Sequence, residues 1–171
     1  DFMLEEGLIG SIANLSKVGG AHISMLSAKI FNHLTQFDSA RHKMVERKAV
    51  LTTLYKLLCE STTAETQVIA IRTVCNLVLD PHVRGQAILA GALGPIEKGV
   101  EMDDRYTVMQ CLVSLFWTCN DAKFMELMSK GTIPSTLLHF ASHLPKNSSS
   151  DEEYNYVVKI LVMLAWEERS R

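Results

Sequence analysis

Histidines and cysteines are the side chains with the most chemical reach in this chain, which has six of the first and four of the second in 171 residues. His139 and His143 stand four apart, so a helix would carry both imidazoles on one face, within reach of one metal ion. No glutamate accompanies them in an HExxH pattern and no cysteine lies close in sequence, so two surface histidines are expected, with no metal and no cofactor. Cys59, Cys75, Cys111 and Cys119 form no CxxC pair, and each lies in or at the end of an apolar helical pattern. Buried, reduced thiols of a cytoplasmic or nuclear protein are the expectation. No Ser–His–Asp or Cys–His spacing stands out. Gly91-Ala92-Leu93-Gly94 lacks the GxxxxGK[ST] of a phosphate loop and follows no strand pattern. Ser148, Ser149 and Ser150 each have an acidic residue three positions on, which marks a candidate phosphorylation loop. Asn147-Ser148-Ser149 fits a glycosylation acceptor, read as chance without a secretory signal. No catalytic residue is assigned.

Composition narrows the classes further. Hydrophobic residues make up 47% and charged residues 21%, which is inconsistent with wholesale disorder. A net charge of −2 lacks the basic excess of a general nucleic-acid or acidic-membrane binder. No apolar run reaches the length of a membrane span, and no signal peptide is evident. The chain opens with Asp1-Phe2-Met3, so an excised segment of a longer polypeptide is expected.

What organises the chain is Glu65–Leu79. As a helix it is apolar over most of its circumference, while Glu65, Arg72 and Asn76 fall on one narrow stripe. A helix of that kind is sandwiched on both flanks and open along a single line, which suits the inner layer of a stacked solenoid. The stretch has counterparts along the chain. A small-residue junction recurs at positions 7, 48, 91 and 131, which are 41, 43 and 40 residues apart. A second landmark at His33, Asn76, Trp117 and Met163 is spaced by 43, 41 and 46 residues, the last stretched by a polar loop at Pro145–Ser150.

Each unit reads as three helices. The short ones are Ser39–Arg47, His82–Ala90 and Asp121–Lys130, with Asp1–Glu6 as the remnant of another. The middle ones are Leu8–Val18, Ala49–Cys59, Ala92–Met102 and Ile133–Leu144. The long ones are His22–Gln36, Glu65–Leu79, Arg105–Cys119 and Glu152–Trp166. Gly19-Gly20, Ser61-Thr62-Thr63, Asp103-Asp104 and Pro145–Asp151 punctuate the starts of the long helices, and Asp80-Pro81 ends one. Ser150 or Asp151 is the expected cap of the last.

Units of about forty residues with a short, a middle and a long helix, a Gly91-Ala92-Leu93 junction and a long helix running from Ala70 to Asn76-Leu77 resemble the armadillo repeat family. HEAT repeats are the near competitor. The resemblance implies an all-α fold, a right-handed α-solenoid of about four three-helix repeats. It would be a single domain over residues 1–171, with units at about 7–47, 48–90, 91–130 and 131–171, within a longer solenoid. It also implies a concave face lined by the long helices. The residues so placed are Lys29 and His33 (Asn32 being the alternative register), Arg72 and Asn76, Tyr106, Gln110 and Trp117, and Tyr156 and Lys159.

In armadillo proteins an asparagine at the position of Asn76 hydrogen-bonds the backbone of an extended peptide, a task an amide suits because it donates and accepts. The family's import receptors place a tryptophan four residues before that asparagine, where this chain has Lys29, Arg72, Val113 and Lys159. A receptor for basic signals is therefore disfavoured, and three cations in four would favour an acidic or phosphorylated segment. The expected function is a non-catalytic scaffold or adaptor that binds a partner protein. The alternative is a regulatory or substrate-recruiting domain of a larger enzyme. Apolar residues at both ends, Leu4, Leu8 and Ile9 and then Leu161, Leu164 and Trp166, suit further repeats or self-association.

Overall fold

The computed structural model describes residues 7–61, 63–144 and 151–169, and all regular structure among them is α-helical. In chain order the helices are α1 (Leu8–Val18), α2 (Ala21–Leu34), α3 (Asp38–Glu46), α4 (Lys48–Glu60), α5 (Ala64–Leu79) and α6 (Arg84–Leu89). They continue with α7 (Leu93–Val100), α8 (Arg105–Thr118), α9 (Ala122–Ser129), α10 (Ile133–His143) and α11 (Asp151–Arg169). The order middle, long, short repeats along the chain as the periodicity predicts. α6 is shorter than its expected span because Pro81 and the bend after Asp80 delay its first turn. The proposed helical remnant at Asp1–Glu6, the serine and glycosylation motifs at 147–150 and the Ser150 cap lie outside the described residues.

Local chemistry explains most boundaries. The side chains of Thr63, Asp104 and Asp121 accept from backbone N–H groups in the first turns of α5, α8 and α9, satisfying donors that the helix itself cannot reach. Pro134 sits in the first turn of α10, where no intrahelical donor is lost. Two of the four junction positions need glycine for its backbone: Gly7 has φ 86° and Gly91 has φ 105°, values at which a Cβ is strained. Lys48 and Gly131 occupy the same landmark without a positive φ, so the junction recurs in sequence more regularly than in dihedral angle.

The chain divides into two compact units, Asp1–Pro95 and Ile96–Arg171, with the division falling inside α7. In the first unit α5 packs along both α2 and α4 and meets α6, while α1 packs on α2 and α4. Phe31, Ile9, Met44, Leu54, Ile71 and Leu77 are its largest fully buried side chains, each contributing roughly 1.5–3 kcal/mol of transfer free energy. Ala70, Ile71, Val74, Cys75, Leu77 and Val78 of α5 are all buried, as a helix flanked on two sides requires. In the second unit α11 packs against α8, α9 and α10, with its own Ile160 fully buried together with Leu112, Leu115, Met128 and Leu137. The cysteines divide: Cys75, Cys111 and Cys119 are buried, but Cys59 is exposed. The expectation of four buried thiols is thus corrected at Cys59, which lies one position past the buried Leu58 on the solvent side of α4.

Candidate functional site

The candidate residues of the first unit lie on α2 and α5, and their polar groups are drawn largely into bonds between those two helices. Asn76 Nδ2 donates to Thr35 Oγ1 at 3.0 Å and to Asn32 Oδ1 at 3.3 Å. Thr73 Oγ1 donates back to the Ile69 carbonyl at 2.7 Å and lies 3.4 Å from Asn32 Oδ1. Lys29 Nζ is 2.8 Å from Glu65 Oε1, with both side chains about half exposed. Such a pair is worth under about 1 kcal/mol, yet it sets a negative charge against that of Lys29. His33 is exposed and stands edge-on to Phe37, ring centroids 5.9 Å apart. Arg72 and Asn76 are half-buried. The alternative register is therefore informative: Asn32 faces α5, and His33 faces solvent.

A second polar seam joins the ends of the same helices. Arg41 donates to Asp80 and Asp38, and to the Thr35 carbonyl at 2.6 Å. Burial would raise the Asp80 pKa, but the His82 N–H and the Arg41 guanidinium outweigh it and hold the carboxyl below its ordinary value. Arg84 donates to the Val78 carbonyl at 2.7 Å and the Leu79 carbonyl at 3.2 Å, closing the open carbonyl end of α5 with a cation. Burial lowers the Arg84 pKa, against the opposing charge of Asp80.

In the second unit the candidate residues make a ribbon of a different character. On α8, Tyr106 is 61% and Trp117 46% exposed, and Gln110 lies between them in sequence. Gln110 Nε2 is 3.5 Å from the Tyr106 hydroxyl, while its Oε1 is buried without a hydrogen-bond partner. Phe116, which the sequence reading did not single out, stacks edge-on with Trp117 at 5.9 Å and with Tyr156 of α11 at 5.7 Å. Lys159 Nζ lies 5.7 Å from the centre of the Tyr156 ring, within cation–π range. In the same unit Arg105 pairs in a fork with the buried Glu153, one bond at 3.1 Å, and Thr136 Oγ1 donates to Glu97 at 2.7 Å.

The seams also escaped the sequence reading. Arg41–Asp80, Thr35–Asn76, Asn32–Asn76 and Arg105–Glu153 join residues 39, 41, 44 and 48 apart. Those separations lie near the repeat period, and opposite or complementary polar residues one period apart were the available signal.

His139 and His143 have ring centroids 4.3 Å apart, with Nδ1 of His143 2.8 Å from the His139 carbonyl oxygen. Among the described residues no three His, Cys, Asp or Glu side chains gather where a metal could be held. Burial pushes the Cys119 thiol up to about 12, which removes it as a nucleophile near neutrality. No helix among the described residues is long and apolar enough to cross a membrane.

No family model matches this chain, and no curated protein matches it in sequence. Solved structures do. A designed armadillo repeat protein, determined in complex with the peptide (KR)4, superposes with a TM-score of 0.72 over 93% of this chain at 15% identity. An engineered protein from a structural genomics consortium does so with a TM-score of 0.67 over 92% at 18% identity. The chain spans 66% and 62% of the lengths of these two. The fold is thereby an armadillo-like, all-α helical-repeat solenoid.

Proposed function

We propose that this chain is a non-catalytic protein-interaction module, a scaffold or adaptor that holds an extended segment of a partner along the solvent-facing ribbons of its long helices. Residues 7–47, 48–90, 91–130 and 131–171 are read as four repeats of one domain. The observation that carries this is the α8 ribbon, where Tyr106 and Trp117 are large side chains held 61% and 46% exposed on one long helix. Exposed tyrosine and tryptophan supply rigid contact area at low entropic loss. The designed armadillo repeat protein in complex with a peptide supports the same mode of use for this fold.

The preferred segment is acidic or phosphorylated, in keeping with a cation on the long-helix stripe of each unit, Arg72 in the first and Lys159 in the second, beside a Lys29 that is paired with Glu65. In the first unit the Asn76 donors are held by Asn32 and Thr35, so Asn76 is committed to the neighbouring long helix. The setting proposed is cytoplasmic or nuclear.

The test is a display screen of extended peptides of acidic, phosphorylated, neutral and basic composition, followed by titration against variants. Trp117→Ala should weaken the best binder about tenfold or more, and Arg72→Glu with Lys159→Glu should abolish the preference for acidic segments, both with unchanged helicity. Equal binding by both variants rules out the ribbon, and selection of basic peptides rules out the charge preference.

A further inference from the structure

Two imidazoles stand together on α10, outside the ribbons described above. His139 and His143 are both exposed, and their ring centroids are 4.3 Å apart. A single turn of helix separates them, and the backbone holds that spacing. Hydrogen bonds settle the tautomer of one ring. Nδ1 of His143 is 2.8 Å from the His139 carbonyl oxygen and 3.0 Å from Ser142 Oγ, which itself donates to that carbonyl at 2.7 Å. Both neighbours of Nδ1 therefore accept. Nδ1 carries the proton, and Nε2 of the neutral ring keeps its lone pair. A metal-bound histidine has the same arrangement, one nitrogen on the ion and the other donating to a carbonyl or carboxylate. The positions are ones that the repeat leaves open within a series. His139 and His143 lie eight and twelve residues past the junction at 131. The same steps from position 48 reach Lys56 and Glu60 of α4, a helix with others before and after it, and both are exposed.

We propose that His139 and His143 form a site for a divalent transition-metal ion of the zinc, copper and nickel kind, held between Nε2 of His143 and a ring nitrogen of His139. Imidazole nitrogen favours these ions over magnesium and calcium, which take oxygen ligands. The first bond makes the second intramolecular, so the pair binds more tightly than either ring alone. Among the described residues no group of three or more His, Cys, Asp or Glu side chains forms, so the site is an open one. Water completes the coordination shell, in contrast to the four protein ligands of a structural zinc. Bound across the last turn of α10, the ion also ties down the end of that helix. The site uses neither Trp117 nor Arg72, so it stands apart from the peptide-binding reading.

The test is a titration of zinc chloride into the 171-residue chain, followed through the ring-nitrogen resonances of its six histidines. His139 and His143 should shift together and saturate at one equivalent of zinc, while His22, His33, His42 and His82 stay in place. Magnesium chloride at the same concentration should shift none of them. His139→Ala and His143→Ala should each weaken zinc binding by about tenfold or more. Circular dichroism melts without zinc establish that both variants are folded; His139→Gln or His143→Gln replaces one that is not. No saturable shift, a shift confined to one of the two rings or centred on another histidine, or zinc affinity unchanged in both variants overturns the proposal.

Discussion

Asn76 Nδ2 donates to Thr35 Oγ1 at 3.0 Å, a side-chain hydrogen bond that ties two long helices together across 41 residues of sequence. The same nitrogen reaches Asn32, so the amide that most resembles a peptide-holding armadillo asparagine is also a rivet between repeats. Asn76→Ala should lower unfolding free energy by about 1–2 kcal/mol, read as a shift in urea midpoint at unchanged slope. Asn76→Asp should be worse than Ala at neutral pH, because a carboxylate then faces the Asn32 Oδ1 acceptor. A stability equal to wild type for both would show that the rivet contributes nothing.

The Arg41–Asp80 pair gives stability a pH dependence of known sign. Asp80 has its pKa lowered in the folded state from an ordinary value of 3.8. Its contribution is therefore fully present above about pH 4 and is lost as pH falls through the depressed folded value. Asp80→Asn should remove about 2 kcal/mol at neutral pH and make the acid limb of the stability curve shallower. Parallel acid limbs for the two proteins in denaturant titrations would sink the assignment.

Gly91 and Gly94 make a matched pair three residues apart. Neither would bring a new Cβ within 4 Å of another group, but Gly91 has φ 105° while Gly94 lies within α7. Gly91→Ala should destabilise by about 1–2 kcal/mol through backbone strain alone. Gly94→Ala should change stability by under about 0.5 kcal/mol, because the helix propensity gained is opposed by crowding of the new Cβ against the following Pro95. Thermal melts should show a clear loss for Gly91→Ala and a much smaller shift for Gly94→Ala, and equal losses would contradict the dihedral argument.

Thiol accessibility separates the cysteines. Cys59 is exposed, whereas Cys75 and Cys111 are 0% and Cys119 2% exposed, and burial pushes the Cys119 pKa to about 12. A thiol-reactive dye at neutral pH should label the native protein at one cysteine and the denatured protein at four. Cys59→Ser should abolish the native signal with little change in stability, and rapid labelling of a second site would reveal an opening of the core.

How far the sequence reaches is clearest along α5. Its apolar circumference, the Thr63 cap ahead of it and Asp80-Pro81 behind it determine a helix with bounds within a residue of those observed. The spacing of His33, Asn76, Trp117 and Met163 determines that the helix is one of a series. These are local or periodic properties, set by propensity and patterning, and need no knowledge of neighbours. Tertiary structure alone decided what each polar stripe residue does. Periodicity cannot distinguish Asn32 from His33 by one step of the helix, yet packing turns one toward α5 and the other toward water. Likewise Lys29 meets Glu65, and Gln110 is left with a buried, unanswered carbonyl, because hydrogen bonds and ion pairs depend on ångström-scale positions across helices forty residues apart. A helix's hydrophobic pattern specifies its faces to within tens of degrees, and that difference in precision is why the fold was legible and the site was not.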